Sequence, residues 1–159
     1  MALGPKHDKS TKFWSLPFGI VIGITLGLQN GILAGISFAL GGLWLSPDLD
    51  IDSKPLKRWG ILKIMWWPYR KIIPHRSFFS HGPVIGTTLR VLYLMAIFTF
   101  MQLILKNLGI EPTSLSTENL IKSIYQYPKS ALAIFLGIEG SAWLHLIQDK
   151  DPLPIKWKN

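Results

Sequence analysis

The sequence predicts an all-α protein embedded in a membrane, and three observations carry that expectation. Only 16% of the 159 residues are charged, against 48% hydrophobic, whereas soluble domains hold about a quarter charged residues. The stretch 13–45 contains no Asp, Glu, Lys or Arg. Two further apolar stretches, 84–105 and 130–147, begin just after Pro83 and Pro128, and proline favours the first turn of a helix.

One helix over 13–45 would exceed about 45 Å at a rise of about 1.5 Å per residue, well beyond a hydrocarbon core of about 30 Å. Gln29-Asn30-Gly31 supplies a turn signal near its middle. The expected structure is a hairpin of helices at about 13–28 and 32–45, each short for a full span. With 84–105 and 130–147 this makes about four short transmembrane or re-entrant helices in a single domain, 1–159. The polar 106–129 connection is expected to hold an amphipathic helix near 116–125, with Leu120, Ile121 and Ile124 on one side. In 46–82, Trp59, Trp66, Trp67 and Tyr69 alternate with Lys57, Arg58, Lys63, Arg70 and Lys71. Aromatic rings and long cations both settle at headgroup depth, so Trp66 and Trp67 are expected to anchor the segment there. The basic start and apolar run imitate a signal peptide, but no small-x-small pattern follows, which predicts a retained anchor.

Four spans put the N-terminus, 46–82 and the C-terminus on one side. That side carries thirteen basic residues: Lys6, Lys9, Lys12, Lys54, Lys57, Arg58, Lys63, Arg70, Lys71, Arg76, Lys150, Lys156 and Lys158. The other side carries three, Lys106, Lys122 and Lys129. The bias predicts that the first side is cytoplasmic. It also accounts for the net charge of +8 without a nucleic-acid partner; the expected partner is the lipid bilayer.

The chain has no cysteine, so disulfides and thiolate metal sites are excluded. A metal would be held by nitrogen and oxygen, which suits Zn²⁺ first and Mn²⁺ or Fe²⁺ next. All four histidines fall at the predicted cytoplasmic boundary: His7 before the first span, His75 and His81 before the third, and His145 closing the fourth. Asp48 and Asp50 follow the second span, and Asp149 follows His145 at i+4, on the same helical face. Each motif has an ordinary structural alternative, such as a capped helix end or a solvated turn. Together the seven exceed what one tetrahedral ion needs, so either some support the others or two ions bind.

Glu139 and Arg90 lie inside predicted spans, where a charge is costly and marks a functional candidate. Both are expected roughly 10 Å below the boundary. They would pair, or Glu139 would support a metal ligand. Ser80 is expected to cap a helix rather than act as a nucleophile.

At these motifs the chain resembles a bacterial family of metal-binding membrane proteins of unknown function that is well represented in cyanobacteria. The resemblance covers most of the chain. It runs through His7-Asp8, Pro47-Asp48-Leu49-Asp50-Ile51, Lys57-Arg58-Trp59-Gly60, His75-Arg76-Ser77 and Ser80-His81-Gly82-Pro83. It continues through Gly86-Thr87, Arg90, Tyr93 and Gly137-Ile138-Glu139 to His145 and Asp149. More distantly the pattern is similar to membrane-bound metal-dependent hydrolases of the bacterial DNA-damage response. The two middle histidines are six apart here, a departure from that pattern. The resemblance implies metal binding more strongly than catalysis.

Two functions follow as expectations. One is a metal-dependent hydrolase acting on a lipid or phosphoester at the cytoplasmic interface. His7, Asp48, Asp50, His75, His81, His145 and Asp149 would be its ligands, Asp8 or Glu139 would serve as supporting group or general base, and Arg76 would face an anionic substrate group. The other is a non-catalytic protein in which the metal ties four segments together and assists assembly of a membrane complex.

Overall fold

The computed structural model describes residues 4–110 and 116–150; Lys156 and Lys158 of the basic side lie outside them. Among the described residues every regular element is helical, as the sequence predicts. Helices α1 (Gly4–Leu26) and α2 (Leu28–Trp44) form the hairpin. The tight turn Pro47–Asp50, α3 (Lys54–Arg58), the 3₁₀ stretch Gly60–Trp66, α4 (Trp67–Ile72) and α5 (Phe78–His81) follow. Helix α6 (Ile85–Asn107), the amphipathic α7 (Thr117–Gln126) and α8 (Pro128–Gln148) complete the chain.

The hairpin turns earlier than Gln29-Asn30-Gly31. Gly27, at φ 94° and ψ 155°, breaks the helix alone, a conformation that glycine adopts without a Cβ penalty. Asn30 does a turn residue's work from inside α2: its amide donates to the Leu26 carbonyl at 2.7 Å and accepts from Ser130 Oγ at 2.9 Å. The helices then touch backbone to backbone. A Cβ at Gly31 would lie 2.6 Å from Gly19 O, and one at Gly35 would lie 3.0 Å from Ser15 O. Small residues four apart on both helices permit this approach. On its other side α2 meets α8, where a Cβ at Gly41 would lie 2.6 Å from Ser141 Oγ. Helix α2 is therefore the centre of a three-helix layer with α1 and α8.

Three stretches are long and apolar enough to cross a membrane: Leu28–Asp50, Ile85–Asn107 and Pro128–Gln148. Helix α1 is not among them, where the sequence predicts four; Lys6, Asp8, Lys9 and Lys12 occupy its first turns. Helix α6 stands off from the layer, burying only Gly86, Thr87 and Arg90 near its start.

The 46–82 segment departs from its sequence reading. It is a packed cap whose core is Leu49, Leu56, Trp66 and Tyr69, with Trp59 and Tyr93 against it. Trp66 is fully buried, its ring 5.4 Å from those of Tyr69 and Tyr93, and so it cannot anchor at a headgroup layer. Trp67 is 59% exposed and keeps that expectation. Burial also pushes the Tyr69 phenol above its ordinary pKa.

Candidate metal centre

The site forms where α2 and α8 end and α6 begins. Helix α2 ends in carbonyls without helical partners, and the end of α3 and the residue after it supply donors to them: Arg58 Nη1 to Leu43 O at 2.8 Å and Trp59 Nε1 to Trp44 O at 2.9 Å. A cation at a helix C-terminus also complements its dipole. The chain then enters the Pro47–Asp50 turn, which carries Asp48 and Asp50. Ser53 fixes the turn by donating to Asp48 O at 2.7 Å. Arg58 Nη2 ion-pairs with Asp8 of α1. This contact brings the start of α1 to the same end and delivers His7.

All seven predicted ligands converge. Three groups have donor atoms within 4.8 Å of one another: His7 with His145 and Asp149, Asp48 with His81 and His145, and Asp50 with His75 and His81. His145 belongs to two groups and His81 to two, so the seven form one continuous string. Its spacings fall into two classes. His75 Nδ1 lies 2.9 Å from Asp50 Oδ1, and His7 Nε2 lies 3.2 Å from Asp149 Oδ1, both hydrogen-bond distances. His145 Nε2 lies 3.4 Å from Asp48 Oδ1 and 3.5 Å from Asp149 Oδ2, and His81 Nε2 lies 3.7 Å from Asp48 Oδ1.

The longer spacings bear on the fit of a metal. Bonds of about 2.0–2.1 Å in tetrahedral array place neighbouring ligand atoms about 3.3 Å apart. His145 Nε2 and His81 Nε2 are buried without a hydrogen-bond partner. Buried nitrogens are ordinarily satisfied, so two orphans facing one carboxylate oxygen fit a divalent cation. The tautomer of His81 agrees. Ser80 Oγ lies within donating distance of Pro74 O at 3.2 Å and Ser77 O at 3.3 Å, which leaves it able to accept from His81 Nδ1 at 2.9 Å. The lone pair then falls on Nε2.

Burial is uneven across the site. The Asp50 side chain is 0% exposed and that of His81 2%, whereas Asp48 is 23%, His75 30% and Arg76 35% exposed. One edge of the cluster thus reaches the surface. Arg76 stands there, at φ 58°, with Nη2 3.9 Å from Asp149 Oδ2.

Other sequence expectations are redirected. Asp8 belongs to none of the three groups; its partner is Arg58. Glu139 and Arg90 do not form an ion pair. Glu139 Oε1 accepts from the Val84 N–H at 2.8 Å, while Arg90 donates to Ser80 O at 2.7 Å and Thr87 Oγ1 at 3.0 Å. Ser77, not Ser80, caps a helix, accepting from the Ser80 N–H at 3.3 Å; Ser80 orients His81. The sequence places Arg58 among cations expected at headgroup depth, whereas it binds Leu43 O and Asp8; its position shortly after an acid-rich helix end is the signal for that role.

A helical bundle with an all-nitrogen-and-oxygen cluster of buried His and Asp at one end defines a cysteine-free metal-binding protein. The chain belongs to the family described as "Uncharacterized metal-binding protein (DUF2227)", which it matches over residues 2–159. It is also similar to an "Uncharacterized protein" of Aquifex aeolicus (strain VF5), 36% identical over 122 residues, covering 72% of this chain and 86% of that relative. No solved structure matches it.

Proposed function

We propose that this chain is an integral membrane hydrolase with a divalent metal centre at the cytoplasmic face of a bacterial inner membrane or thylakoid, acting on a lipid or phosphoester. The observation that carries this reading is the one-sided burial of the cluster. Its floor is closed by Asp50 and His81, while Asp48, His75 and Arg76 remain accessible. A catalytic site leaves a position open where a structural one is fully liganded.

Asp48, His81 and His145 would hold the ion, Zn²⁺ by donor type, with Asp149 next to His145. Once bound, a divalent ion would supply Lewis acidity toward a phosphoryl oxygen. The remaining roles fall to the chain itself. Asp50 faces His81 Nδ1 at 3.4 Å and is held in turn by His75, an arrangement that helps orient the ring. His7 stacks on His145 with centroids 4.2 Å apart and hydrogen-bonds Asp149. A two-ion arrangement would instead recruit these outer residues as ligands. Arg76 at the open edge suits the charge of an anionic substrate. Asp8 and Glu139, already engaged with Arg58 and Val84, act by positioning rather than as general bases. Basic-residue bias supports the orientation, and exposed Trp67 beside Lys63, Arg70 and Lys71 suits the headgroup layer.

A non-catalytic reading is favoured by one observation: the cluster ties together four stretches far apart in sequence, α1, the 47–50 turn, 75–81 and α8. Purified protein in phospholipid vesicles separates the two. Phosphate release from an added phosphomonoester or from phosphatidic acid, dependent on Zn²⁺ or Mn²⁺ and abolished by His81→Ala with helicity unchanged, is the expected result. Helix loss on chelation, with no turnover of either substrate under any metal, would replace this reading with the structural one.

A further inference from the structure

His81 sits on a piece of chain that would not hold its own shape. Helix α5 is four residues long, too short for independent stability. After Gly82 and Pro83, Val84 turns through φ 63° and ψ −52°, closed by the Ile85 N–H donating to Pro83 O at 2.6 Å. A γ-turn of this hand is rare and strained, and positive φ at a β-branched residue is an outlier. Such a conformation persists only where its surroundings over-determine it. Besides the local backbone bonds from Gly86 N–H to Gly82 O and from Thr88 N–H to Val84 O, both at 2.8 Å, two hydrogen bonds from other parts of the chain flank His81, one on either side. Arg90 of α6 donates to Ser80 O, and Glu139 of α8 accepts from the Val84 N–H. Arg90 is 1% exposed and Glu139 6%. Two charges buried in apolar helices require a purpose, and each is directed at a backbone group flanking the same imidazole.

We propose that Arg90 and Glu139 form a clamp that positions His81 as a ligand, with Val84 as the strained joint the clamp holds closed; the proposal rests on the metal-centre reading above. What the clamp needs from Glu139 is an acceptor oxygen at Val84, not a negative charge. A Cβ at Gly86 would lie 2.7 Å from Ser80 O, so the packing beside the clamp leaves no room for a larger residue.

The test measures Zn²⁺ affinity of the full chain in detergent by competition with a chromophoric chelator. Wild type and His81→Ala set the scale. Glu139→Gln keeps the acceptor and should bind within about threefold of wild type. Glu139→Leu removes it and should weaken binding about 10–100-fold, the usual cost of losing a supporting group. Adding Val84→Gly to Glu139→Leu should restore most of that loss, because glycine holds positive φ unaided. A general structural defect would not be repaired by changing the joint. Glu139→Gln as damaging as Glu139→Leu, or no recovery with Val84→Gly, overturns the clamp. If Glu139→Leu does not fold, amide exchange decides. Val84 should be protected in both wild type and Glu139→Gln, and an unprotected Val84 in wild type overturns the proposal. A wild type that binds no Zn²⁺, or one that His81→Ala matches, overturns the metal-centre reading instead.

Discussion

The end of the bundle that carries the cluster and the end where α1 turns into α2 are held by different forces. At the first, seven His and Asp side chains crowd together and Arg58, Trp59, Arg90 and Glu139 all bond across segments. At the second, α1 passes to α2 through Gly27, and neutral side chains bond across segments: Asn30 with Leu26 O and Ser130, and Gln102 and Thr99 with Thr117. Helix α7 has no fully buried residue. Burying imidazoles and carboxylates is costly unless each is paired, and orphaned nitrogens are found in the cluster, at His7, His81 and His145. The difference supports the proposed metal centre: the polar end gathers groups that a cation would complete, while the other end needs only to close the hairpin.

Within the cluster the comparison sharpens. His145 Nε2 faces two carboxylates at 3.4 and 3.5 Å, whereas His75 hydrogen-bonds one at 2.9 Å from the rim. His145→Ala should lower metal affinity by at least about 100-fold and His75→Ala by only about tenfold, the range for groups that support a ligand. Chelator competition measures both. Equal losses would break the distinction between inner and outer residues and favour two ions.

The next largest effect concerns adjacent tryptophans in the cap. Trp66→Ala removes a fully buried ring and should cost about 3–5 kcal/mol, read as the denaturant midpoint. Trp67→Ala, at a 59% exposed position, should cost under about 0.5 kcal/mol in detergent. Comparable losses would mean that Trp67 is also packed.

That pair also shows what was legible in the sequence and what was not. The helical class, the doubling back of the first apolar stretch and the gathering of all seven ligand candidates were readable, because apolar runs and His/Asp residues each report one fact directly. The depth of Trp66 was not, since interleaved Trp and Lys fit either a headgroup layer or a packed cap. Only Leu49 and Leu56 closing over the ring decide between them. Gln29-Asn30-Gly31 reads as the turn because Asn-Gly is a turn pair, yet Asn30 serves the turn from within α2. Glycines 19, 23, 31 and 35 were the missed signal: their spacing of four marks a face where two backbones meet. Arg90 and Glu139 were matched by depth and charge, but both bond to backbone, which sequence spacing does not reveal.

The smallest effect probes the far end. Asn30→Ala removes a donor to Leu26 O and an acceptor for Ser130 Oγ. Hydrogen bonds of this kind contribute about 0.5–1.5 kcal/mol each, so thermal stability should fall modestly. Asn30→Asp keeps the acceptor for Ser130 but sets a carboxylate oxygen against Leu26 O, acceptor facing acceptor inside an apolar helix, and should fall at least as far as Asn30→Ala. Metal affinity should not change in either variant, because α1 and α2 remain in register through the glycine contacts along their length. Distant, unshared sites ordinarily act independently. A shift in affinity beyond about threefold would show that the hairpin's closure sets how far His7 reaches into the cluster, and the two ends would then have to be treated as one mechanical unit.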